Sequence, residues 1–263
     1  IYFCRKNMNS KNNRISVMKL SKSFRSGLNK NFSLFGKILR TIAGDNNEKI
    51  AVLKDISFNV ESGMNLGIIG NNGAGKSTLL KLIAGIYKPS SGIVETQGDL
   101  TYLSGFNSGL KKRLTMRENI YLVGSLMGLR KNEIDDRFED IIELSGLRDY
   151  VDFKVDHFSS GMIARLNFSI GIYCINYNAP DILLVDEAIN VGGDILFKER
   201  AFEKIQELIN GGSIVVLASH SLSNIKKYCD RVIWIDDGKI VMEDKPDIVI
   251  RAYVKANSRE RLS

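Results

Sequence analysis

The chain has 263 residues, 44% of them hydrophobic, and its 37 basic against 30 acidic side chains give a net charge of +7. That suffices for one substantial core, or one core with a smaller lobe. It holds no apolar run near the ~18 to 20 residues that span a bilayer and no secretory-signal stretch at its start, so a cytosolic location is expected. Three cysteines, Cys4, Cys174 and Cys229, in neither paired nor metal-type spacing point to reduced thiols, and two histidines, His157 and His220, exclude a histidine-rich metal cluster.

The charge is concentrated at the front. Residues 1–44 carry ten basic side chains and no Asp or Glu, which leaves 27 basic against 30 acidic in the remainder. Such a segment suits an anionic surface, either phospholipid headgroups or nucleic acid. Alternation predicts a first strand at 15–20, followed by Lys22, Ser23 and Phe24. Within 25–50, Phe32, Phe35, Leu39 and Ile42 recur at helical spacing with Lys37 and Arg40 between them. This is the pattern of a short amphipathic helix on a membrane or a partner, or of a solvated insertion whose apolar side packs on its own domain.

Strands follow at 56–60 and 65–69, and the second runs into Gly70, Asn71, Asn72, Gly73, Ala74, Gly75, Lys76, Ser77 and Thr78, then into a helical run at 79–84. Strand, glycine-rich loop and helix together imply a bound nucleoside triphosphate. Backbone N–H groups would cradle the phosphates, Lys76 would reach the β/γ oxygens, and Ser77 would offer its hydroxyl to Mg²⁺. Further strands are predicted at 92–96 and 100–103. From 116 to 175 the period changes to helical, with segments at 116–127, 131–144 and 161–173, so a helical block interrupts an α/β core.

Phe158, Ser159, Ser160, Gly161 and Met162 open the last of these helices, where hydroxyls, amides and the helix dipole form another anion-binding end. His157, just before them, reads as structural or as a loop residue. The strand at 182–185 delivers Asp186 and Glu187 to its carboxyl end, the position at which α/β sheets bind ligands, 27 residues after Ser159. With the phosphate loop present, Asp186 is expected to hold Mg²⁺ and Glu187 to polarise an attacking water. The strand at 214–218 ends in Ser219 and His220, where an imidazole could contact the γ-phosphate. A last strand is predicted at 232–235. There is no internal repeat and no linker rich in Pro and Gly.

In this order, the phosphate loop, helical lobe, serine-glycine signature, acidic pair and histidine resemble the nucleotide-binding subunits of ABC transporters, across residues 15–253. The resemblance implies an α/β P-loop NTPase fold with a RecA-like core, an antiparallel β subdomain and a helical subdomain inserted at about 107–175. Residues 1–14 would then be a basic N-terminal extension and 254–263 a C-terminal tail. It also implies ATP and Mg²⁺ as cofactors, Lys76, Glu187 and His220 as catalytic groups, and a homodimer in which Ser159, Ser160 and Gly161 of one subunit close over the ATP of the other. Phe24 matches the aromatic that stacks on adenine, although a plain core aromatic fits there too.

The departures narrow the resemblance. Ser160 and Met162 replace two residues of the usual LSGGQ signature, a form typical of the branch that exports bacterial O-antigen, capsule and teichoic acid. That branch also carries a long basic insertion before the phosphate loop and a stretch like Gly105, Phe106, Asn107 ahead of Arg117, Glu118, Asn119. Asn107 occupies the place of the Gln that links Mg²⁺ and water to the membrane subunit; being shorter, it suits a bridging water. After Glu187, the run Val191, Gly192, Gly193, Asp194 has one glycine more than the branch usually shows. The branch implies an integral membrane permease as partner, a lipid-linked polysaccharide as cargo, a peripheral place on the cytoplasmic face of the bacterial inner membrane, and a form without a C-terminal carbohydrate-binding domain. Three alternatives stay open: an exporter of a drug or another lipid, a soluble ABC ATPase acting on nucleic acid or ribosomes, and a module that holds ATP without hydrolysing it. Paired cassettes or a long coiled coil, usual in the second, are not visible, and intact Lys76, Asp186, Glu187 and His220 argue against the third.

Overall fold

A computed structural model describes residues 2–5, 13–25, 49–104, 109–175, 180–186, 195–210 and 213–260. In chain order the strands are β1 (Tyr2–Arg5), β2 (Arg14–Arg25), β3 (Lys49–Glu61), β4 (Asn65–Ile69), β5 (Ser91–Gln97), β6 (Leu100–Ser104), β7 (Ile182–Asp186), β8 (Ile214–Ala218), β9 (Arg231–Asp236) and β10 (Lys239–Asp244). The helices are α1 (Lys76–Ile83), α2 (Met116–Leu126), α3 (Lys131–Ser145), α4 (Ser160–Ile175), α5 (Ile195–Asn210), α6 (Leu222–Tyr228) and α7 (Pro246–Glu260).

One seven-stranded sheet runs β1-β6-β7-β8-β4-β9-β10, parallel from β6 through β9 and antiparallel at both edges; a second, antiparallel sheet runs β3-β2-β5. Every residue of β7 and β8 is buried, as their uninterrupted apolar sequences require of strands covered on both faces. Side-chain alternation then divides them. Ile214, Val216 and Ala218 of β8 face a cluster shared with α1 and the antiparallel sheet, whereas Val215 and Leu217 face Phe168 of α4, Phe197 of α5, Ile225 of α6 and Val249 of α7. The nucleotide loop, between β4 and α1, is therefore rooted between two packed layers.

Helices α2, α3 and α4 build a third cluster around Ile120, Ile134, Phe138, Ile141, Leu166 and Ile170. Helix α4 is apolar on two sides: Leu166, Ile170 and Cys174 point into this lobe, and Phe168 and Ile172 into the sheet layer. With Leu144 of α3, which also joins the sheet layer, it ties the lobe to the core. The entry to α2 is held by short-range chemistry. Thr115 and Glu118 form a capping box, Arg117 pairs with Asp152 through both carboxylate oxygens at 2.8 and 3.3 Å, and its guanidinium lies 5.0 Å from the Phe138 ring. The Arg117 hydrogen bond holds the Asp152 carboxyl below its ordinary range.

Several elements exceed the expectation. Strands β2 and β3 run to Arg25 and from Lys49, past 15–20 and 56–60, with Phe24 opposite Ile50. The outer half of β2 is polar, that of β3 is largely exposed, and register shifts break their pairing, with Lys19 at φ 48° and Asp55 at φ 55°, so no clean alternation marks them. Strands β1 and β10 and helices α5, α6 and α7 are not among the predicted elements, although Phe197, Ala201, Ile205 and Leu208 recur at helical spacing in α5; β1 lies within 1–14, and α7 runs through residue 253 as one helix. The insertion with Phe32, Phe35, Lys37, Leu39, Arg40 and Ile42 lies outside the described residues.

Asn119, fully buried, fastens the segment at 111–115: its amide donates to the carbonyls of Lys111, Leu114 and Thr115 at 3.1, 3.3 and 2.8 Å, and its Oδ1 accepts from the Lys111 N–H at 2.6 Å. Asn119→Ala removes four hydrogen bonds and a buried side chain, while the three carbonyls keep backbone N–H partners, and should lower stability by about 2 kcal/mol. A urea titration checks this, with a lower midpoint and an unchanged slope expected.

Candidate functional site

The phosphate loop keeps its course because two glycines accept contacts that no other residue could. A Cβ on Gly70 would stand 2.2 Å from the Ile235 carbonyl oxygen, and one on Gly75, at φ 109°, would stand 2.6 Å from Leu53 Cδ2. Gly75 is also the N-cap of α1. No side chain caps that end and no acidic residue sits in its first turn, so the first N–H groups and the positive end of the dipole remain for a phosphate. Asn71, Asn72 and Gly73 are exposed, Ala74 and Gly75 buried, and Ser77 and Thr78 half-buried.

Lys76 is buried and folded back over the loop, its Nζ donating to the carbonyls of Gly70 at 2.8 Å and Asn71 at 3.0 Å. Ser77 Oγ donates to Asp186 Oδ1 at 2.8 Å. The other oxygen, Oδ2, accepts from Tyr102 Oη at 2.9 Å. Two elements distant in sequence thus hold one buried carboxylate from both sides. Parallel register explains the meeting: Ser104 of β6 stands beside Asp186 of β7, and Asp186 beside Ala218 of β8, so these strands end level with one another. Ser219 follows directly, its N–H donating to the Ile68 carbonyl at 3.4 Å and its Oγ accepting from the Ser221 N–H at 3.0 Å. His220, between these serines, is exposed at the same sheet edge.

Phe24 sits on the rim of the antiparallel sheet, edge-on to Tyr87 at 5.5 Å, with Lys22 Nζ 5.0 Å from its ring. Its strand partner Ile50 is three residues from Leu53, which abuts Gly75, so Phe24 lies about 10 Å along the strand from the loop. Ser159 Oγ accepts from the Met162 N–H at 3.2 Å and its carbonyl from the Ile163 N–H at 3.0 Å, making Ser159 the cap of α4; Ser159 and Ser160 are exposed. His157 lies in a 3₁₀ turn, exposed and 3.6 Å from the neighbouring Asp156 carboxylate. Glu187, Asn107 and the run from Val191 to Asp194 lie outside the described residues.

Burial pushes the Cys174 and Cys229 thiols up to about 12, which withdraws both from nucleophilic chemistry. Tyr102 escapes sequence reading because nothing in an apolar strand marks one tyrosine as a ligand of a carboxylate 84 residues away.

A glycine-rich loop at the head of α1, an aspartate closing a parallel strand with its oxygen on the loop serine, and a helical lobe inserted between β6 and β7 define a P-loop ATPase of ABC architecture. Residues 53–190 match the ABC transporter family, and the chain belongs to that family. It is 40% identical over 208 residues to the O-antigen export system ATP-binding protein of Klebsiella pneumoniae, covering 79% of this chain and 82% of that protein. With the teichoic acids export ATP-binding protein of Lactococcus lactis it shares 37% over 254 residues, 94% of this chain and 52% of that protein. A solved dimeric ATP-binding cassette in a post-hydrolysis state with ADP and Pi superposes with a TM-score of 0.66 at 22% identity, covering 88% of this chain and 98% of that one, a likeness of fold. Among the described residues no helix is long and apolar enough to cross a membrane.

The two glycine environments separate cleanly. Gly70→Ala forces the backbone off the Ile235 carbonyl and should weaken ATP binding at least ~100-fold, whereas Gly73→Ala, whose Cβ would meet nothing within 4 Å, bears only the strain of φ 83° and should lose about tenfold. Calorimetric titration of ATP into the two variants measures the contrast.

Proposed function

We propose that this chain is the ATP-hydrolysing subunit of an exporter that moves a lipid-linked polysaccharide, of the O-antigen, capsule or teichoic acid type, through a separate membrane subunit. The observation that carries the ATPase reading is the 2.8 Å hydrogen bond from Ser77 to Asp186, which joins the phosphate loop to the strand-end carboxylate. The cargo reading rests on the Ser160 and Met162 form of the signature together with the 40% identity to an O-antigen export subunit.

Each group has a role in this reading. ATP binds with its phosphates on the amides at the head of α1, drawing Lys76 from the carbonyls of Gly70 and Asn71 to the β/γ oxygens. Hydroxyl and carboxylate are hard oxygen donors, so Ser77 and Asp186 suit Mg²⁺, which when bound would neutralise charge on the phosphates. Phe24 offers its ring to the adenine. Glu187 orients the attacking water, and His220, at the end of β8, senses the γ-phosphate. Ser159 and Ser160, exposed at the head of α4, and the half-buried Gly161 complete the site of a second copy, as befits a fold seen as a dimer in a solved cassette. Asn107 would pass closure to the permease, and the chain would work peripherally on the inner face of the cytoplasmic membrane.

Cells whose only copy carries Glu187→Gln should accumulate long lipid-linked glycan internally while their surface glycan disappears, read by mass spectrometry of the lipid fraction and surface staining. Normal surface glycan would remove the polysaccharide reading and return the chain to exporters of other cargo.

A further inference from the structure

The phosphate loop is gripped from a direction that none of its motif residues accounts for. Tyr253 and Asn257 lie one turn apart on α7. Tyr253 Oη donates to Asn71 Oδ1 at 3.0 Å, Asn71 Nδ2 donates to Asn257 Oδ1 at 3.4 Å, and Asn257 Nδ2 donates to the Tyr253 carbonyl at 3.2 Å. Both ends of the Asn71 amide are thus engaged by a single helix, across 182 and 186 residues of sequence. The main chain of the same residue holds the loop's working parts: the Asn71 carbonyl accepts from Lys76 Nζ at 3.0 Å and from the Ala74 N–H at 3.2 Å.

The helix that does this is itself anchored. Val249 is fully buried in the layer behind the sheet, and Lys226 of α6 pairs with Asp247 at 2.6 Å. The Tyr253 ring also packs edge-on against Trp234, with centroids 5.5 Å apart, and Trp234 is the register partner of Ile69, the residue before Gly70. Helix α7 therefore packs through a ring on the strand beside the loop's root and touches the loop's first corner through hydrogen bonds.

We propose that Tyr253 and Asn257 are positioning residues for ATP binding, holding Asn71 so that the corner carrying Lys76 is ordered before nucleotide arrives; this rests on the ATPase reading above. Lys76 has to leave two carbonyls to reach the phosphates, and a loop corner fixed from outside need not be ordered at that moment. Without the contact the free loop relaxes and has to be ordered on binding, a cost carried equally by the bound ground state and the transition state, so KM rises and kcat stays unchanged.

The test uses the full chain and MgATP, with affinity measured by calorimetry and KM and kcat by phosphate release, for wild type, Tyr253→Phe, Asn257→Ala, Asn71→Ala and the double variant Asn71→Ala/Tyr253→Phe. Tyr253→Phe keeps the ring on Trp234, the only tryptophan in the chain, so its fluorescence and melting should match wild type. The loss of one hydrogen bond should raise Kd and KM about threefold to tenfold at constant kcat, with Asn257→Ala in the same direction. On the Asn71→Ala background, Tyr253→Phe should add nothing. Wild-type affinity in Tyr253→Phe, or a penalty that adds in full on Asn71→Ala, overturns the proposal. A wild type that fails to bind MgATP would instead overturn the ATPase reading, so the two failures are told apart in one set of titrations.

Discussion

A carboxylate taken out of water must find partners, and Asp186 finds them on two other elements. Its own strand, β7, is buried throughout, so the charge stands at the end of an apolar run with Ser77 of α1 on one oxygen and Tyr102 of β6 on the other. The parallel register sets Tyr102 beside Leu184, two residues back from Asp186 and within reach of it, and the level ends of β7 and β8 bring Ser219 and His220 to the same end. The same edge receives the head of α1 with its uncapped N–H groups. The site is the place where the sheet's packing gathers polar ends, and the proposed function assigns it phosphate and a hard cation.

How much of this is legible in the sequence depends on sequence distance. The loop from Gly70 to Thr78 announces itself because its chemistry is consecutive, and β7 and β8 because strands buried on both faces are continuous apolar words. The helices of the lobe follow the 3.6-residue period. Tyr102, Tyr253 and Asn257 cannot be found so, since each acts on a residue 84 or more positions away and each looks locally like an ordinary strand or helix residue. The outer halves of β2 and β3 are hidden for another reason: one face is solvated, and register shifts interrupt the alternation that would have shown them.

The motifs around the helical lobe gain a second meaning from the structure. Arg117, Glu118 and Asn119 resemble the pattern of one branch of a family, yet all three also act locally, through an ion pair to Asp152, a capping box with Thr115 and a buried amide that fastens the segment at 111–115. Ser159 likewise caps α4 while remaining exposed. Because α4 packs on both the lobe and the sheet layer, a movement at its head would carry the lobe with it, which is the coupling an exporter subunit needs between nucleotide and membrane partner.

In the proposed function Asp186 and Ser77 anchor a divalent cation on bound nucleotide, and the nucleotide chemistry depends most on this pair. The direct measurement is the affinity for ATP with and without Mg²⁺, by calorimetry, in the wild type and in Asp186→Asn. Wild-type binding should tighten with Mg²⁺, and the variant should lose most of that gain while still binding ATP alone. Equal tightening in both proteins would contradict the assignment and detach the strand-end carboxylate from the nucleotide site.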